Sequence, residues 1–214
     1  MQSNDMILEI KQKAKDLFEA DFVIEAENSV LGEAKLVGKL GHMEGNWFIS
    51  YDGLTVSMSY GKRNLPRGDK PFRPYDIFID KKAVGTVYQT DVKEGGFFST
   101  YPVHKLYLNG IYYTRYPISF GDEGSKSPIY LDNIQIAEIH KSSLVYNELH
   151  EYYSFISDKK YGLVCALFCF YAYVMTSFKP GKKPIMSVRK ISFTDTNQYL
   201  LAKYNPDFMM NFEK

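Results

Sequence analysis

The sequence predicts a mainly β (α+β) fold, a closed antiparallel β-barrel of about 12 strands that encloses a central hydrophobic α-helix. Roughly eleven strand-like stretches precede residue 159, mostly joined by tight turns, and this rhythm is typical of an antiparallel meander. A charge-free apolar run then follows between Lys160 and Lys179. An open sheet of this size has two unpaired edges, whereas a closed one has an interior that a helix can fill.

An amphipathic helix is predicted at the N-terminus, within residues 1–20 and outside the barrel. Ser3 or Asn4 can cap it. The apolar residues at helical spacing are Ile7, Leu8, Ile10, Ala14, Leu17 and Phe18.

Residues 21–178 form the predicted barrel domain. Its first stretches, "DFVIEAE" and "GEAKLVGKL", are short and partly alternating. Asp52-Gly53 and Asn109-Gly110 are strong two-residue hairpin signals, and Asp132-Asn133 indicates a further turn. The regular spacing of such turns predicts that most neighbours in sequence are neighbours in the sheet.

The central helix is predicted over residues 160–178. Because it is apolar on every side, something other than water must enclose it. As a helix the run is about 27 Å long, just enough for a bilayer core of roughly 30 Å. A membrane span is therefore the alternative, and basic residues flank both ends: Lys159, Lys160, Lys179, Lys182 and Lys183.

Two features of the run favour the barrel interior. The hydroxyls of Tyr171 and Tyr173 need hydrogen-bond partners, which a barrel wall can supply and lipid cannot. Small residues at helical spacing also let a neighbouring backbone come close, and they are Gly162, Cys165, Ala166, Cys169 and Ala172.

Residues 179–214 form a predicted C-terminal extension. "IMSVRKISF" can add one strand, and Asp195 can cap a short helix through "TNQYLLAKY".

Composition excludes several classes of function. The formal net charge is +1, which argues against nucleic-acid binding by bulk charge. Cys165 and Cys169 both lie in the apolar run and are interpreted as core residues in a reducing, cytoplasmic setting. The scattered His42, His104, His140 and His150 predict no metal site, although His104 and His140 can share a barrel face. Without a phosphate-binding glycine loop or a nucleophile elbow, we expect no enzyme and no cofactor.

Four stretches carry a resemblance to a known family: "YDIFIDKKAVGTVYQ", "YPVHKLYLNGIYYTRYPI", "IYLDNIQIAEIHK" and "EYYSFISDKKYGLVCALFCFYAYVM". In strand rhythm and in the late apolar helix the chain resembles the tubby C-terminal-like superfamily, which includes LURP-one-related and phospholipid scramblase-like proteins. The resemblance covers Tyr75 to Phe178 and, more loosely, Asp21 to Tyr60. It implies a twelve-stranded barrel threaded by a hydrophobic helix.

The chain also departs from that family. The N-terminal segment and the tail after Phe178 lie outside the pattern. A calcium-binding acidic segment and a cysteine cluster of the scramblase type are missing from the sequence, so scrambling and calcium dependence are not carried over.

One loop, "GKRNLPRGDKPFRP" from Gly61 to Pro74, is the predicted binding site. Planar guanidinium groups suit phosphate, and tubby-like proteins hold a phosphoinositide headgroup on a basic surface patch. The cations stand against one acid, Asp69, and they are Lys62, Arg63, Arg67, Lys70 and Arg73. A solvated loop is the alternative. The tail holds a second basic cluster: Lys179, Lys182, Lys183, Arg189 and Lys190.

The sequence thus predicts a non-catalytic binding or scaffold protein, cytoplasmic or peripheral at the membrane, that takes anionic phospholipid headgroups or phosphate on the basic loop. Anionic membrane lipid or a protein is the expected partner, with no metal and no nucleic acid. One alternative is a scramblase-like protein anchored by a single span over 161–178. The other is a small-ligand carrier or enzyme, which predicts a cavity of several hundred cubic ångströms with convergent polar groups.

Overall fold

The computed structural model describes residues 4–39, 44–61, 71–95 and 99–212. Their strands are β1 (Met6–Lys15), β2 (Glu19–Ala26), β3 (Ser29–Gly38), β4 (Gly45–Tyr51), β5 (Leu54–Tyr60), β6 (Phe72–Ile79), β7 (Lys82–Lys93), β8 (Thr100–Leu108), β9 (Ile111–Arg115), β10 (Ile118–Ser119), β11 (Ser125–Leu131), β12 (Ile134–Lys141), β13 (Leu144–Tyr146), β14 (Glu151–Ile156) and β15 (Val188–Lys190). The helices are α1 (Gly162–Thr176) and α2 (Gln198–Leu201), with 3-10 helices over Gly121–Glu123, Lys159–Tyr161 and Pro206–Asn211.

Twelve of these strands form a closed antiparallel barrel. Around it they follow the order β11, β12, β14 and then β1 to β9 in sequence order. Closure comes from β9, which pairs back with β11 and places Arg115 opposite Ile129. The closed sheet has no unpaired edge to protect, and the predicted mainly β barrel is confirmed.

The predicted N-terminal helix is wrong, because Met6–Lys15 is strand β1. Met6, Leu8 and Ile10 are buried and alternate with more exposed residues, which is the period of a strand. β1 pairs with β14 on one side and with β2 on the other, so it is part of the barrel wall. Pairing on both sides satisfies backbone groups that a helix would have satisfied internally.

The turn predictions are confirmed. Asp52-Gly53 joins β4 to β5 and Asn109-Gly110 joins β8 to β9, with positive φ at all four residues. Positive φ at both central positions is what a type I′ hairpin turn requires, and glycine at the second position adopts it without strain.

Helix α1 packs against strands from several parts of the barrel. It contacts β1, β4, β7, β8, β12 and β14, and nearly all of its residues are buried. The Tyr171 hydroxyl donates to the carbonyls of Phe72 and Arg73, both at 3.1 Å. The Tyr173 hydroxyl accepts from Gln12 Nε2 at 3.0 Å. Both tyrosines thus find partners on the sheet, as expected. No helix in the described ranges combines the length and apolar character needed to cross a membrane.

The C-terminal extension packs on the outside of the barrel. β15 pairs with β13, and the Tyr130 hydroxyl donates to the Lys203 carbonyl at 2.9 Å. Leu200 of α2 is buried in a small cluster with Tyr101, Val103 and Ile118.

The cap of the helix in the extension lies two residues after the predicted Asp195. Asn197 caps α2, because its Oδ1 accepts from the N–H groups of Tyr199 and Leu200. Asp195 instead accepts from the Ser119 N–H at 2.6 Å, which holds residues 191–195 against the barrel.

Candidate anion-binding cavity

A cavity of about 420 Å³ lies beside the C-terminal turn of α1. Strands β8, β9, β12 and β14, the last turn of α1 and residues 191–195 of the extension all contribute to its wall. Polar side chains from four different strands converge here.

Arg115 is the most buried cation of this wall, with only 5% of its surface exposed. It ends β9 directly opposite His104 of β8, and its Nη1 donates to His104 Nδ1 at 2.8 Å. Its Nη2 donates to Ser127 Oγ at 2.9 Å, whereas Nε is buried without a partner. Within the described part of the chain, Arg115 forms no ion pair.

His104 is held neutral by this arrangement. Burial and the positive charge of Arg115 lower the pKa of His104 well below its ordinary value. Because Nδ1 accepts from the guanidinium, the imidazole proton is on Nε2. Both partners of Arg115 are therefore uncharged, and the guanidinium keeps its full positive charge.

Lys141 brings a second cation to the same cavity from the end of β12. Its Nζ lies 3.4 Å from Ser177 Oγ and 5.3 Å from the centre of the Tyr152 ring. Burial, followed by the charge of Arg115, lowers the pKa of Lys141 to about 8. No carboxylate of the described residues pairs with it, so the two cations reinforce one positive potential.

The Tyr152 hydroxyl adds a hydrogen-bond donor. It is buried and makes no hydrogen bond of ordinary geometry, although Ser177 interacts with it weakly. Burial raises the pKa of Tyr152 well above its ordinary value, so the hydroxyl keeps its proton at neutral pH.

The exposed part of the cavity wall carries two large apolar side chains beside the polar Ser142 and Thr176. Ile191 and Phe193 line it and are also 57% and 65% exposed, whereas Arg115 lies deep in the wall. Met175 and Ala172 of α1 extend this apolar surface. Among the described residues, Asp195 is the one carboxylate in the wall, and its Oδ2 already accepts from the Ser119 N–H. Such a wall suits an anion that carries an apolar body.

The predicted basic loop falls largely outside the described residues, since Lys62, Arg63, Arg67 and Lys70 lie in the range 62–70. The fifth residue, Arg73, is the second residue of β6, and its guanidinium lies 5.4 Å from the centre of the Phe72 ring. Arg73 is not part of the cavity wall. In the tail cluster, Arg189 pairs with Glu148 at 3.3 Å and Lys190 with Asp122 at 2.6 Å.

His104 and His140 do not share a barrel face, although the sequence allowed it. His104 lines the cavity, whereas His140 binds Glu138 Oε1 at 2.6 Å on the other face of the sheet. His42 lies outside the described residues. Among the residues that the structure covers, no group of three or more His, Cys, Asp or Glu side chains could hold a metal ion.

Sequence reasoning missed Arg115, Lys141 and Tyr152. The available signal was strand parity, since Arg115 shares its face with Tyr113 and Lys141 shares its face with Ile139. A cation at an apolar position of a strand is uncommon unless it is paired or functional.

Comparisons of the chain with protein-family models, with curated proteins and with solved structures find no match. The fold and the cavity together define a class, a closed β-barrel protein with a buried cationic cavity.

Proposed function

We propose that the protein is a non-catalytic binding protein that takes a small organic anion, a carboxylate or a phosphate ester, into this cavity. One observation carries the proposal: Arg115 is buried and charged, and both of its hydrogen-bond partners are neutral. A buried charge costs several kcal/mol unless it is paired, so an anion within its reach is strongly favoured. Lys141 adds a second charge, and Tyr152 adds a donor.

The size of the cavity supports a ligand larger than inorganic phosphate. Its volume of about 420 Å³ lies within the range of small-molecule sites, roughly 300–1,000 Å³. The cationic groups lie deep and the apolar side chains lie towards the exposed rim. The proposed ligand therefore has its acid group innermost and an apolar body that contacts Met175, Ile191 and Phe193.

We also infer that α1 is the central helix of the barrel, as the resemblance to the tubby C-terminal-like superfamily implies. Its burial and its contacts with strands spread around the barrel support this position. Membership of that superfamily, a cytoplasmic or membrane-peripheral location and phospholipid binding by the basic loop remain predictions. The cavity is the better supported site, because four of the five loop cations lie outside the described residues.

Isothermal titration calorimetry with 4-phenylbutanoate tests the proposal. This probe has a carboxylate and an apolar body, and 4-phenylbutan-1-ol is its neutral counterpart. We expect the wild type to bind the acid at least tenfold more tightly than the alcohol. Arg115→Gln should lose at least tenfold in affinity, because the positive charge and the paired N–H donors of the guanidinium are both removed.

Arg189→Gln is the matched control, since it makes the same substitution at an exposed site on the extension. It should bind as the wild type does. Equal affinity for acid and alcohol, or undiminished binding by folded Arg115→Gln, would overturn the proposal.

A further inference from the structure

Lys141 and Lys15 are both shielded lysines, but their surroundings differ. The Lys15 side chain is 5% exposed and its Nζ pairs with Glu148 Oε2 at 2.8 Å. Lys141 has only the long contact to Ser177 Oγ and the face of the Tyr152 ring, and it lines the cavity. Its amine is therefore accessible to a ligand and is not neutralised by a carboxylate of the described residues.

These surroundings favour a nucleophilic amine. A lysine reacts through its neutral form, which is enriched when the amine is desolvated or lies near another cation. Both conditions hold at Lys141, since burial and Arg115 lower its pKa to about 8. Burial and Arg115 outweigh the opposing influence of Cys169 on the pKa of Lys141. The face of the Tyr152 ring favours the ammonium form.

We propose that Lys141 captures, as an imine, a small oxo acid whose anionic group is held by Arg115. The inference rests on the proposed function, because Arg115 must first hold the anion. The Lys141 nitrogen attacks the carbonyl carbon, a C–N bond forms and the C–O bonds break. The carbonyl oxygen leaves as water with the two hydrogens that the amine loses, and nothing is oxidised or reduced.

Tyr152 suits the second half of this step. Its hydroxyl is buried in the same wall, remains protonated and has no hydrogen-bond partner of ordinary geometry. It can donate its proton to the departing oxygen and take back one of the two protons that the Lys141 nitrogen loses, so that Tyr152 ends the step unchanged. The ligand class is thus an oxo acid with an apolar body, and the lysine supplies a covalent hold that reverses on hydrolysis.

Reductive trapping tests the inference on the full chain. Wild type is incubated with 2-oxo-4-phenylbutanoate and sodium cyanoborohydride, which converts an imine into a stable amine, and the adduct is mapped by peptide mass spectrometry. We expect one adduct per chain, at Lys141. Labelling should be at least tenfold slower with 4-phenylbutan-2-one, which has the ketone without the carboxylate.

The variants sharpen the test. Lys141→Arg keeps the charge but cannot form the imine, so the fast labelling should disappear, whereas Lys15→Arg should label as the wild type does. Non-reacting 4-phenylbutanoate should protect Lys141 in the wild type, a readout that does not depend on how well any variant folds. Labelling spread over surface lysines, or none at Lys141, would overturn the inference.

Failure of the inference and failure of the proposed function look different. If 4-phenylbutanoate binds to wild type and to Lys141→Arg but no adduct forms at Lys141, only the imine is refuted. If 4-phenylbutanoate does not bind at all, the anion site itself is refuted and the inference falls with it.

Discussion

At the residue scale, this chain buries its cations in two ways. The shielded Lys15 pairs with Glu148, so its charge is compensated within the protein. Arg115 instead donates to a neutral imidazole and to a hydroxyl. A compensated cation serves the fold, whereas an uncompensated one at a cavity wall is available to a ligand.

The stability of the protein should depend on Lys141 in a narrow pH window. Its pKa is about 8 in the folded protein and 10.5 ordinarily, so between these values the unfolded chain binds more protons. Stability therefore rises with pH across this window. Relative to Lys141→Met, the wild type should gain on the order of 1 to 3 kcal/mol between pH 8 and 10.5.

Urea unfolding of both proteins at several pH values measures this difference. Other ionisable groups near Lys141 are present in both proteins, so their contributions to the pH dependence largely cancel in the difference. These groups are Arg115, His150, Tyr152, Cys169 and Asp195. A difference that stays flat, or that falls as pH rises, would refute the assignment.

Gln12 is a second residue whose loss should be costly. It is 4% exposed, its Nε2 donates to the Tyr173 hydroxyl and its Oε1 accepts from the His150 N–H. Gln12→Leu leaves both partners buried without a hydrogen bond, so we expect a loss of about 1–3 kcal/mol in the free energy of unfolding. Chemical denaturation measures it.

A double variant provides the control. Adding Tyr173→Phe removes the hydroxyl that Gln12→Leu leaves without a partner. It should restore part of the lost free energy of unfolding, because replacing both polar partners is less costly than removing one. A single variant as stable as the wild type would show that water can replace the glutamine.

At the scale of the element, α1 begins at a glycine with little space around it. A Cβ on Gly162 would clash with the Tyr51 hydroxyl and would lie 2.8 Å from Met6 Cε. Side chains of β1 and β4 therefore reach the first turn of the helix closely. The atoms that come close to Gly162 are the ends of the Tyr51 and Met6 side chains, whereas the prediction concerned a neighbouring backbone.

Gly162→Ala should consequently lower the free energy of unfolding by about 1–3 kcal/mol, the usual cost of overfilling a packed core. The gain in helix propensity is smaller, about 0.5–1 kcal/mol. Thermal unfolding followed by circular dichroism measures the net change.

Tyr51→Phe is the companion variant, because it removes the hydroxyl that the new methyl group meets. In the Tyr51→Phe background, Gly162→Ala should cost less than in the wild type. An equal cost in both backgrounds would place the strain elsewhere.

At the scale of the whole molecule, the extension links the outside of the barrel to the cavity. The Phe193 carbonyl accepts from the Gly121 N–H at 2.8 Å, and Asp195 binds Ser119. Further along, Leu200 fills the cluster with Tyr101 and Val103. The same segment therefore anchors on the barrel and completes the cavity wall.

Leu200→Asp should detach α2 by placing a charge in that apolar cluster. We expect amide hydrogen exchange over residues 198–204 to accelerate at least tenfold, while the barrel strands keep their protection. Gln198 is exposed and lies two residues before Leu200 in α2. Gln198→Asp is therefore the control, and its amides should exchange as those of the wild type do. Unchanged protection in Leu200→Asp would show that the extension is held by other contacts.

Local patterns determined much of this fold. The turn at Asp52-Gly53 and the apolar helix could be predicted from sequence alone, because their signals lie within a few neighbouring residues. "MILEIKQ" could not be resolved in this way, since its apolar residues fit both a helical stripe and an alternating strand. Pairing with β2 and β14, far apart in sequence, decided for the strand.

The cavity depended on tertiary structure throughout. Strand parity alone puts Arg115 and Tyr113 on one face, but only the pairing of β9 with β11 turns that face inward and brings Ser127 to Arg115. Lys141 and Tyr152 reach the same cavity from strands on the other side of β11. The sequence by itself determined the apolar helix and most of the strands, since these depend on local periodicity, whereas β1 was decided by its pairing partners. Which charges meet inside the barrel was decided by long-range pairing, because a side chain's neighbours across a closed sheet are set by register and not by sequence distance.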